Sequence, residues 1–303
     1  MQQRQLGKDG PLVSVLGLGA WPLGGGMGLV DEATAISTVH AAIDHGITLI
    51  DTAQAYRTSE VTLGKALRNG YRERCFLATK VSGDYSPAGM RSALENSLRD
   101  LAVDYVDLYQ IHSWKAEYPV EASMATMARL QEEGKIRYIG VSNYNAAQMA
   151  QALQTAPVQA NQPRYNLFDR GIEAEDIPFC ARNGIGILAH SPLAKGLLTG
   201  KYRADHHFPA DDERSKMPRF QGESFARYLA VTDRLQAEVA RPKGLTMVQL
   251  AIAWQLRLPA ITCVLVGAKN VQQVQEHLAA ADVDFSAAEL AQIDQILAGA
   301  PMA

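Results

Sequence analysis

Cysteine is scarce in this chain, and neither sign of charge is in large excess. Cys75, Cys180 and Cys263 are an odd and scattered set, which argues against a disulfide framework or a zinc cluster. With 29 Lys and Arg against 32 Asp and Glu, the net charge is −3, so a nucleic-acid partner is not indicated. No apolar run reaches the roughly 20 residues of a membrane span, and residues 1–20 lack a signal-peptide pattern. We expect a cytoplasmic protein with no membrane partner.

Apolar residues, 47% of the chain, are abundant and fall into short runs that alternate with helical patterns. The runs predict strands at 14–18, 47–51, 75–80, 105–111, 136–141, 157–161, 185–190 and 261–266. The intervening patterns predict helices at 32–45, 59–69, 87–102, 120–133, 145–154, 172–183, 245–257 and 270–281. Nearly continuous apolar strands are typical of sheets buried on both faces. Eight strand–helix units favour a closed (β/α)8 barrel, formed as a single domain over residues 1–303, over an open doubly wound sheet.

Two segments interrupt this alternation. Residues 200–224 form a polar, proline-bearing insert after the seventh strand, and an insert of this length is usually a lid or binding loop and less often disordered. Residues 286–298 have the pattern of an extra amphipathic helix beyond the barrel. The fold class we predict is therefore a (β/α)8 TIM barrel with an N-terminal hairpin and extra C-terminal helices.

Four residues with proton chemistry follow three successive predicted strands. Asp51, Lys80 and His112 come at the ends of the second, third and fourth strands, and Tyr56 lies in the loop after the second. Each one alone has a structural explanation, as a cap, a surface amine, a core imidazole or a rim aromatic. Because the carboxyl ends of barrel strands share one mouth, where active sites form, the four together favour a catalytic site.

Proton delivery to a carbonyl oxygen fits these four side chains. A tyrosine hydroxyl has a pKa near 10 in water, and a nearby lysine ammonium favours its ionised form. Asp51 would keep Lys80 charged, and His112 would orient the substrate and share the proton with Tyr56. Reduction of the carbonyl also needs a hydride donor.

No G-x-G-x-x-G motif occurs at a strand–helix turn, so a dinucleotide-binding fold is not supported. Ser142 and Asn143 end the fifth strand and Gln162 ends the sixth. These polar groups would suit a carboxamide such as that of nicotinamide, and a role as turn residues is equally open.

With these residues, the chain resembles the aldo-keto reductase family over nearly its whole length. The segments that carry the resemblance are DTAQAYRTSE (51–60), ATK (78–80), QIH (110–112), GKIRYIGVSNY (134–144), NQPRYN (161–166), SPLAKGLLTGKY (191–202) and LVGAKNVQQVQEHL (265–278). The resemblance implies a catalytic tetrad of Tyr56 as acid or base with Asp51, Lys80 and His112. It also implies that the nicotinamide carboxamide binds at Ser142, Asn143 and Gln162.

The resemblance further implies how the rest of the cofactor is held. His190 occupies the position of an aromatic residue that stacks on the nicotinamide ring. The loop around the pyrophosphate is matched by Ser191, Leu193, Gly196 and Leu197, and the adenosine end by Gly267, Lys269, Gln273, Glu276 and His277, the last standing where asparagine is usual. Lys269 is the expected partner of a 2′-phosphate, which indicates NADPH, with NADH as the alternative.

The insert, with its PRFQGESF segment (218–225), resembles a subgroup that has a large cofactor-covering loop. Arg219 in that segment could reach phosphate or be a solvated arginine. Trp21, Trp114 and Tyr85 match aromatic positions of the substrate pocket and could instead pack under a lid.

The implied activity is reversible, NADPH-dependent reduction of small-molecule aldehydes or ketones to alcohols, by a monomer or weak homo-oligomer. Two alternatives come from other classes. One is a nucleotide-sensing regulatory subunit with weak catalysis. The other is a metal-dependent barrel hydrolase or isomerase, but His206 and His207 have no obvious third ligand, so we expect no metal.

Overall fold

A short hairpin precedes a closed barrel in the computed structural model, which describes residues 1–210 and 212–301. Strands β1 (Gln3–Gln5) and β2 (Leu12–Ser14) pair antiparallel. The eight parallel barrel strands are β3 (Leu16–Gly19), β4 (Leu49–Asp51), β5 (Phe76–Val81), β6 (Val106–Ile111), β7 (Ile136–Ser142), β8 (Ala160–Gln162), β9 (Gly186–Ala189) and β10 (Ile261–Val266). Neighbours follow chain order, and β10 pairs with β3 to close the barrel. The predicted barrel and hairpin are confirmed.

The helices surround the barrel in the predicted order, with one that the pattern did not predict. They are α1 (Glu32–Asp44), α2 (Ser59–Ala66), α3 (Pro87–Leu101), α4 (Val120–Glu132), α5 (Ala146–Ala152), α6 (Asp176–Asn183), α7 (Gly222–Leu235), α8 (Met247–Leu256), α9 (Val271–Leu278) and α10 (Ala287–Leu297). The unpredicted helix is α7, which continues into a π-helical turn at Gln236–Ala240. The predicted extra C-terminal helix is α10. None of the described helices is long and apolar enough to cross a membrane.

Apolar packing fills the barrel from the end opposite the mouth. Every residue of β5, β6 and β10 is buried. Leu6 and Val13 of the hairpin join an interior cluster with Leu49, Phe76, Ala78, Leu108, Ala160, Leu188, Cys263 and Leu265. The Lys8 amide donates to the carbonyl of Gly184, just before β9, at 2.7 Å. The hairpin therefore covers the end where the strands begin, and polar side chains can gather where they finish.

The insert has a small aromatic core of its own. The ring of Phe208 lies 5.2 Å from that of Tyr202 and 5.3 Å from that of Phe220, and the Arg214 guanidinium lies 4.5 Å from the Phe208 ring centroid. Ring contacts of this kind favour an ordered insert over the disordered alternative. Its role as a lid or binding loop stays a prediction, as does the single-domain organisation of residues 1–303.

Candidate active site

The structure brings the four proton-handling residues together at the barrel mouth. Asp51 ends β4, Lys80 is the penultimate residue of β5, and His112 follows β6. Lys80 Nζ donates to Asp51 Oδ2 at 2.6 Å and to the Thr52 carbonyl at 2.8 Å, and it lies 3.3 Å from the Tyr56 hydroxyl. The Tyr56 and His112 ring centroids are 5.7 Å apart.

A tight turn between β4 and α2 holds Tyr56 over Lys80. The Tyr56 amide donates to the Ala53 carbonyl, and the Tyr56 carbonyl accepts from the Ser59 amide, both at 2.9 Å. Arg57 has a φ of +51°, the left-handed conformation that such a turn requires. The Ser59 hydroxyl is 2.9 Å from that of Thr52, which ties the start of α2 to the end of β4. The local chain therefore fixes the phenol relative to the strand that carries Asp51.

Burial and ion pairing set the charges of this group. Burial tends to lower the pKa of Lys80, but the Asp51 carboxylate and the Tyr56 oxygen more than offset it, so the pKa is raised. Burial raises the pKa of the Tyr56 hydroxyl above its ordinary 10.0, and Lys80 opposes this rise only in part. Tyr56 is therefore protonated at neutral pH, beside a lysine that is fully charged.

His112 is uncharged in the same site. Its Nδ1 lies 2.7 Å from the hydroxyl of Ser82, a residue that no sequence pattern indicates. Burial, together with the charge of Lys80, lowers the pKa of His112 to about 4. A neutral imidazole can hydrogen-bond a carbonyl oxygen without competing with Tyr56 as the acid.

Asn143 and His190 form a second polar group at the mouth. Asn143 has a φ of +57°, and its Nδ2 donates to the His112 carbonyl at 3.2 Å and to the Ser142 hydroxyl at 3.0 Å. Its Oδ1 lies 2.9 Å from His190 Nε2. Because an amide oxygen only accepts, His190 Nε2 carries the proton and Nδ1 accepts from Ser191 Oγ at 2.9 Å. Burial and nearby cations lower the pKa of His190 to about 3, so the ring is neutral.

Gln162 bonds the tetrad residue Asp51, a contact that the sequence does not indicate. Its amide nitrogen donates to Asp51 Oδ1 at 2.8 Å and to Gln110 Oε1 at 3.2 Å, and the residue is 2% exposed. Gln110 in turn donates to Asp51 Oδ1 at 3.3 Å. The sequence prediction did not include Gln110, although it is a polar residue in an apolar run, two positions before His112. Residues two apart in a strand share a face, and that was the available signal.

The loop after β9 contains several residues in the left-handed conformation. Ser191, Ala194 and Lys195 have φ of +58°, +46° and +55°, and Gly196 has a φ of +103°. Non-glycine residues in this region cost about 1–3 kcal/mol each and cluster at ligand clamps. Leu197 is fully buried, so its side chain packs in the core rather than facing the mouth. Leu193 is partly buried and packs against the same core. The backbone of this loop suits an anion better than its apolar side chains do.

Three cations gather around the loop that follows β10. Lys269 is partly buried, and its amine donates to the Met27 carbonyl. Burial, then Lys201 and Arg214, lower its pKa, while Asp212 opposes them. A surplus of positive charge of this kind can accept a phosphate. The sequence prediction included Lys269 but not Arg214.

The other residues expected at the adenosine end have mixed surroundings. Gln273 Oε1 accepts from the Lys269 amide at 2.8 Å, which orders the start of α9. Gly267 lies just after β10, where a side chain would collide with the ring of Pro22. The Glu276 carbonyl accepts from Gln249. His277 is only 3% exposed, and burial lowers its pKa to about 4, so it presents little surface to a ligand.

The aromatic candidates divide into two groups. Trp21 meets the Tyr56 ring edge-on at 5.0 Å, so it stands directly at the site. Trp114 makes a similar contact with Tyr144 at 5.2 Å. Tyr85 is 3% exposed, and its hydroxyl lies 3.3 Å from that of Ser113. Of the three, Tyr85 has the least surface available to a substrate.

Arg219 connects the insert to the loop after β8. Its two terminal nitrogens donate to the two oxygens of Asp169 at 3.0 and 2.9 Å. Asp169 also accepts from Asn166, which donates to the Ser191 carbonyl at 3.0 Å. Arg219 is therefore an ion-paired residue that braces the loop after β9, and neither of the two roles considered for it from the sequence describes this contact.

No group of three or more His, Cys, Asp or Glu side chains in residues 1–210 and 212–301 is arranged to hold a metal ion. The ring of His206 packs on Tyr202 and Phe208, at centroid distances of 4.6 and 4.7 Å. His206 therefore has a packing role in the insert that involves no metal ion.

Comparison with known proteins agrees with this geometry. The profile of the Aldo/keto reductase family matches residues 15–298. Aldo-keto reductase YhdN of Bacillus subtilis (strain 168) is 38% identical over 288 residues, 91% of this chain and 87% of that protein. The structure of the glycerol dehydrogenase AKR11B4 from Gluconobacter oxydans matches with a TM-score of 0.88 at 35% identity, covering 98% of this chain and 94% of that one.

A second solved structure leads to the same assignment. The thermostable aldo-keto reductase Tm1743, in complex with the inhibitor epalrestat, matches with a TM-score of 0.80 at 30% identity, covering 98% of this chain and all of that one. Members of this family are NAD(P)H-dependent oxidoreductases that act on carbonyls. The profile match, the relative and the barrel geometry agree, and this chain belongs to the aldo/keto reductase family.

Proposed function

We propose that this chain reduces aldehydes or ketones to alcohols with NADPH, reversibly, and that Tyr56 donates the proton. The observation that carries the proposal is the Tyr56 hydroxyl, which lies 3.3 Å from the buried Lys80 ammonium, with the His112 ring centroid 5.7 Å from that of Tyr56. The raised pKa of Tyr56 and the lowered pKa of His112, both caused mainly by burial, agree with an acid beside a neutral imidazole. Family membership supplies the carbonyl chemistry and the nicotinamide cofactor in general terms. The role of Tyr56 and the choice of NADPH are our inferences.

The residues at the mouth fit a phosphorylated nicotinamide cofactor. Lys201 and Arg214 lower the pKa of Lys269, and Asp212 is the one negative charge among the described residues that raises it. This excess of positive charge suits a dianionic 2′-phosphate. The loop at 191–196, with its left-handed residues, suits the pyrophosphate, and the polar side chains of Ser142 and Asn143 suit the carboxamide. When bound, the nicotinamide supplies the hydride.

The residues of the chain supply the rest of the reaction. Tyr56 gives its proton to the carbonyl oxygen, and Lys80 stabilises the negative charge that remains on the phenol oxygen. His112 directs the carbonyl toward Tyr56 by hydrogen bonding through its ring. Trp21 and Trp114 form apolar walls that favour an uncharged substrate. In alcohol oxidation, the ionised Tyr56 acts as the base.

A panel of carbonyl compounds tests the proposal. NADPH and NADH oxidation would be followed with aldehydes, ketones and sugars, including glyceraldehyde and dihydroxyacetone because one structural neighbour is named a glycerol dehydrogenase. We expect turnover that is faster with NADPH. Tight NADPH binding with no oxidation over the whole panel would instead favour the regulatory-subunit alternative. The cytoplasmic location and the monomeric or weakly oligomeric state stay predictions.

Replacement of Lys269 by methionine should weaken NADPH binding about 10- to 100-fold and leave NADH binding nearly unchanged. The expected loss is that of a charge-assisted hydrogen bond to the 2′-phosphate, about 1.5–3 kcal/mol. Dissociation constants from tryptophan fluorescence would be compared for both cofactors. Lys216→Met, at an exposed lysine of the insert, is the matched control. Equal losses for both cofactors would remove Lys269 from 2′-phosphate recognition.

The rate of carbonyl reduction should be flat across neutral pH and fall only on the alkaline side. Tyr56 must hold its proton to act as the acid, and a pKa raised above 10.0 keeps that proton to a higher pH than for a free tyrosine. His112 and His190, with pKa values of about 4 and about 3, stay neutral throughout. The measurement is kcat at saturating NADPH from about pH 5 to 11, a range that extends past the ordinary tyrosine pKa of 10.0. A decline centred near pH 7 would assign the proton to a histidine.

A further inference from the structure

The second oxygen of the Asp51 carboxylate is held by two amides inside the barrel. Asp51 is 2% exposed, and Lys80 occupies its Oδ2. A buried carboxylate needs hydrogen-bond donors for its remaining lone pairs. Gln162 and Gln110 provide them, donating to Oδ1 at 2.8 and 3.3 Å. Both glutamines are almost fully buried, so the amides take the place that water would take at the surface.

The two glutamines and Asp51 form a closed ring, which we call the amide ring (Asp51, Gln110 and Gln162). A carboxylate only accepts, so both amides must point their nitrogens at it. The Gln162 nitrogen also donates to Gln110 Oε1 at 3.2 Å, which fixes the orientation of the second amide relative to the first. Each of the three members therefore limits the rotation of the other two.

A glycine makes room for the amide ring. Gln110 on β6 pairs in register with Gly140 on β7, and Gly140 pairs with Ala160 on β8. A Cβ at Gly140 would lie 2.9 Å from Gln110 Cγ and 3.2 Å from the Ala160 carbonyl. Glycine weakens a strand interior and is found where another group approaches closely. Here that group is Gln110, which reaches past β7 to the end of β8.

We propose that Gln110 is a positioning residue for the reaction, a role that rests on the function proposed above. Gln110 acts through Asp51, because it holds Oδ1 so that Oδ2 faces Lys80. The ammonium is then kept 3.3 Å from the Tyr56 hydroxyl, where it eases the loss of the Tyr56 proton. Without Gln110, Oδ1 keeps only the Gln162 donor, and the Gln162 amide loses the Gln110 oxygen that fixes its orientation. The carboxylate is then less constrained, and Lys80 is held less firmly beside Tyr56.

Gln110→Met, which keeps the volume and removes the donor, tests the proposal. We expect kcat to fall about tenfold, with the KM of the carbonyl and the NADPH dissociation constant unchanged. In alcohol oxidation, the pH at which the rate rises should move upward by about 0.5–1 unit, because Lys80 then lowers the pKa of Tyr56 less effectively. Gln159→Met is the matched control, since that amide binds the Leu6 carbonyl beneath the barrel.

Two further variants separate positioning from simple packing. In Gln110→Glu, a protonated carboxyl can still donate to Asp51, so kcat should approach the wild-type value at low pH and fall as that proton is lost. Gly140→Ala should displace Gln110 and reproduce the loss seen in Gln110→Met. The double variant should then be no slower than Gln110→Met alone, because both changes remove the same contact.

One readout does not require turnover. The ammonium protons of Lys80 can be followed through the 15N resonance of Nζ, which is assigned by its absence in Lys80→Met. In Gln110→Met these protons should exchange with water about tenfold faster if Asp51 is less constrained. Wild-type kcat, pH profile and exchange in Gln110→Met, with only the melting temperature changed, would overturn the proposal. If the wild-type protein reduces no carbonyl, the proposed function fails, and unchanged or faster exchange still decides the role of Gln110.

Discussion

Replacement of Tyr56 by phenylalanine should lower kcat for carbonyl reduction by about 10³-fold, within the range measured when a general acid is removed. The ring would remain against Trp21, since the 5.0 Å edge contact does not involve the hydroxyl. Only the proton donor 3.3 Å from Lys80 is lost. NADPH affinity should stay close to that of the wild-type protein, because no residue that we assign to the cofactor bonds the phenol.

Single-turnover reduction measures the chemical step without product release. The control is Tyr71→Phe, which removes a hydroxyl bonded to Asp44 at 3.2 Å on the protein surface. NADPH binding would be followed by quenching of the three tryptophans. If Tyr56→Phe retained a rate within about threefold of wild type, the proton would come from another group, and His112→Gln would be the next variant to measure.

The barrel and the position of the tetrad could be predicted because both follow from local patterns. Apolar runs of strand length recur at the period of a strand–helix unit, and eight of them close a barrel. Side chains at the carboxyl ends of neighbouring parallel strands then meet at one mouth. This reasoning placed Asp51, Lys80 and His112 on adjacent strands, where the structure has them.

Contacts between distant strands could not be predicted in the same way. The alternation of β6 indicates that Gln110 and His112 share a face, but not that the Gln110 amide selects Asp51 on β4. That choice depends on the absence of a side chain at Gly140, one strand away. The sequence likewise indicates a carboxamide-binding role for Gln162, which stays a prediction, but not that the Gln162 nitrogen donates to Asp51.

The helix α7 shows a different limit. Its apolar face, which includes Phe225, Tyr228 and Leu229, is buried. The Phe225 ring lies 6.0 Å from that of Phe220, within the aromatic core of the insert. Because the preceding residues are polar and rich in turn formers, the helix start at Gly222 carried no strong capping signal, and Gln221 makes no side-chain capping bond. Phe225, Tyr228, Leu229, Thr232 and Leu235 nevertheless recur at helical spacing on the buried face, so the start of this helix, rather than its existence, lacked a local signal.

Replacement of Lys80 by methionine should abolish reduction and also destabilise the protein by about 3–5 kcal/mol, the usual cost of removing one partner of a buried ion pair. Lys80 is fully buried, and its ammonium donates to Asp51 at 2.6 Å and to the Thr52 carbonyl at 2.8 Å. The methionine side chain fills similar space but leaves the Asp51 carboxylate with amide donors alone. Chemical denaturation at pH 7 gives the change in the free energy of unfolding, and NADPH oxidation gives the activity.

The double variant Asp51→Asn with Lys80→Met separates the two effects. An asparagine at position 51 carries no charge, so most of the free energy of unfolding lost in Lys80→Met should be recovered. Activity should not return, because Tyr56 still lacks the cation that stabilises its ionised form. The Asp51–Lys80 pair would then contribute to stability through charge balance inside the barrel. Its contribution to catalysis would come from the ammonium beside Tyr56. A double variant as unstable as Lys80→Met would contradict this division, since the loss would then come from packing around residue 80 rather than from an uncompensated carboxylate.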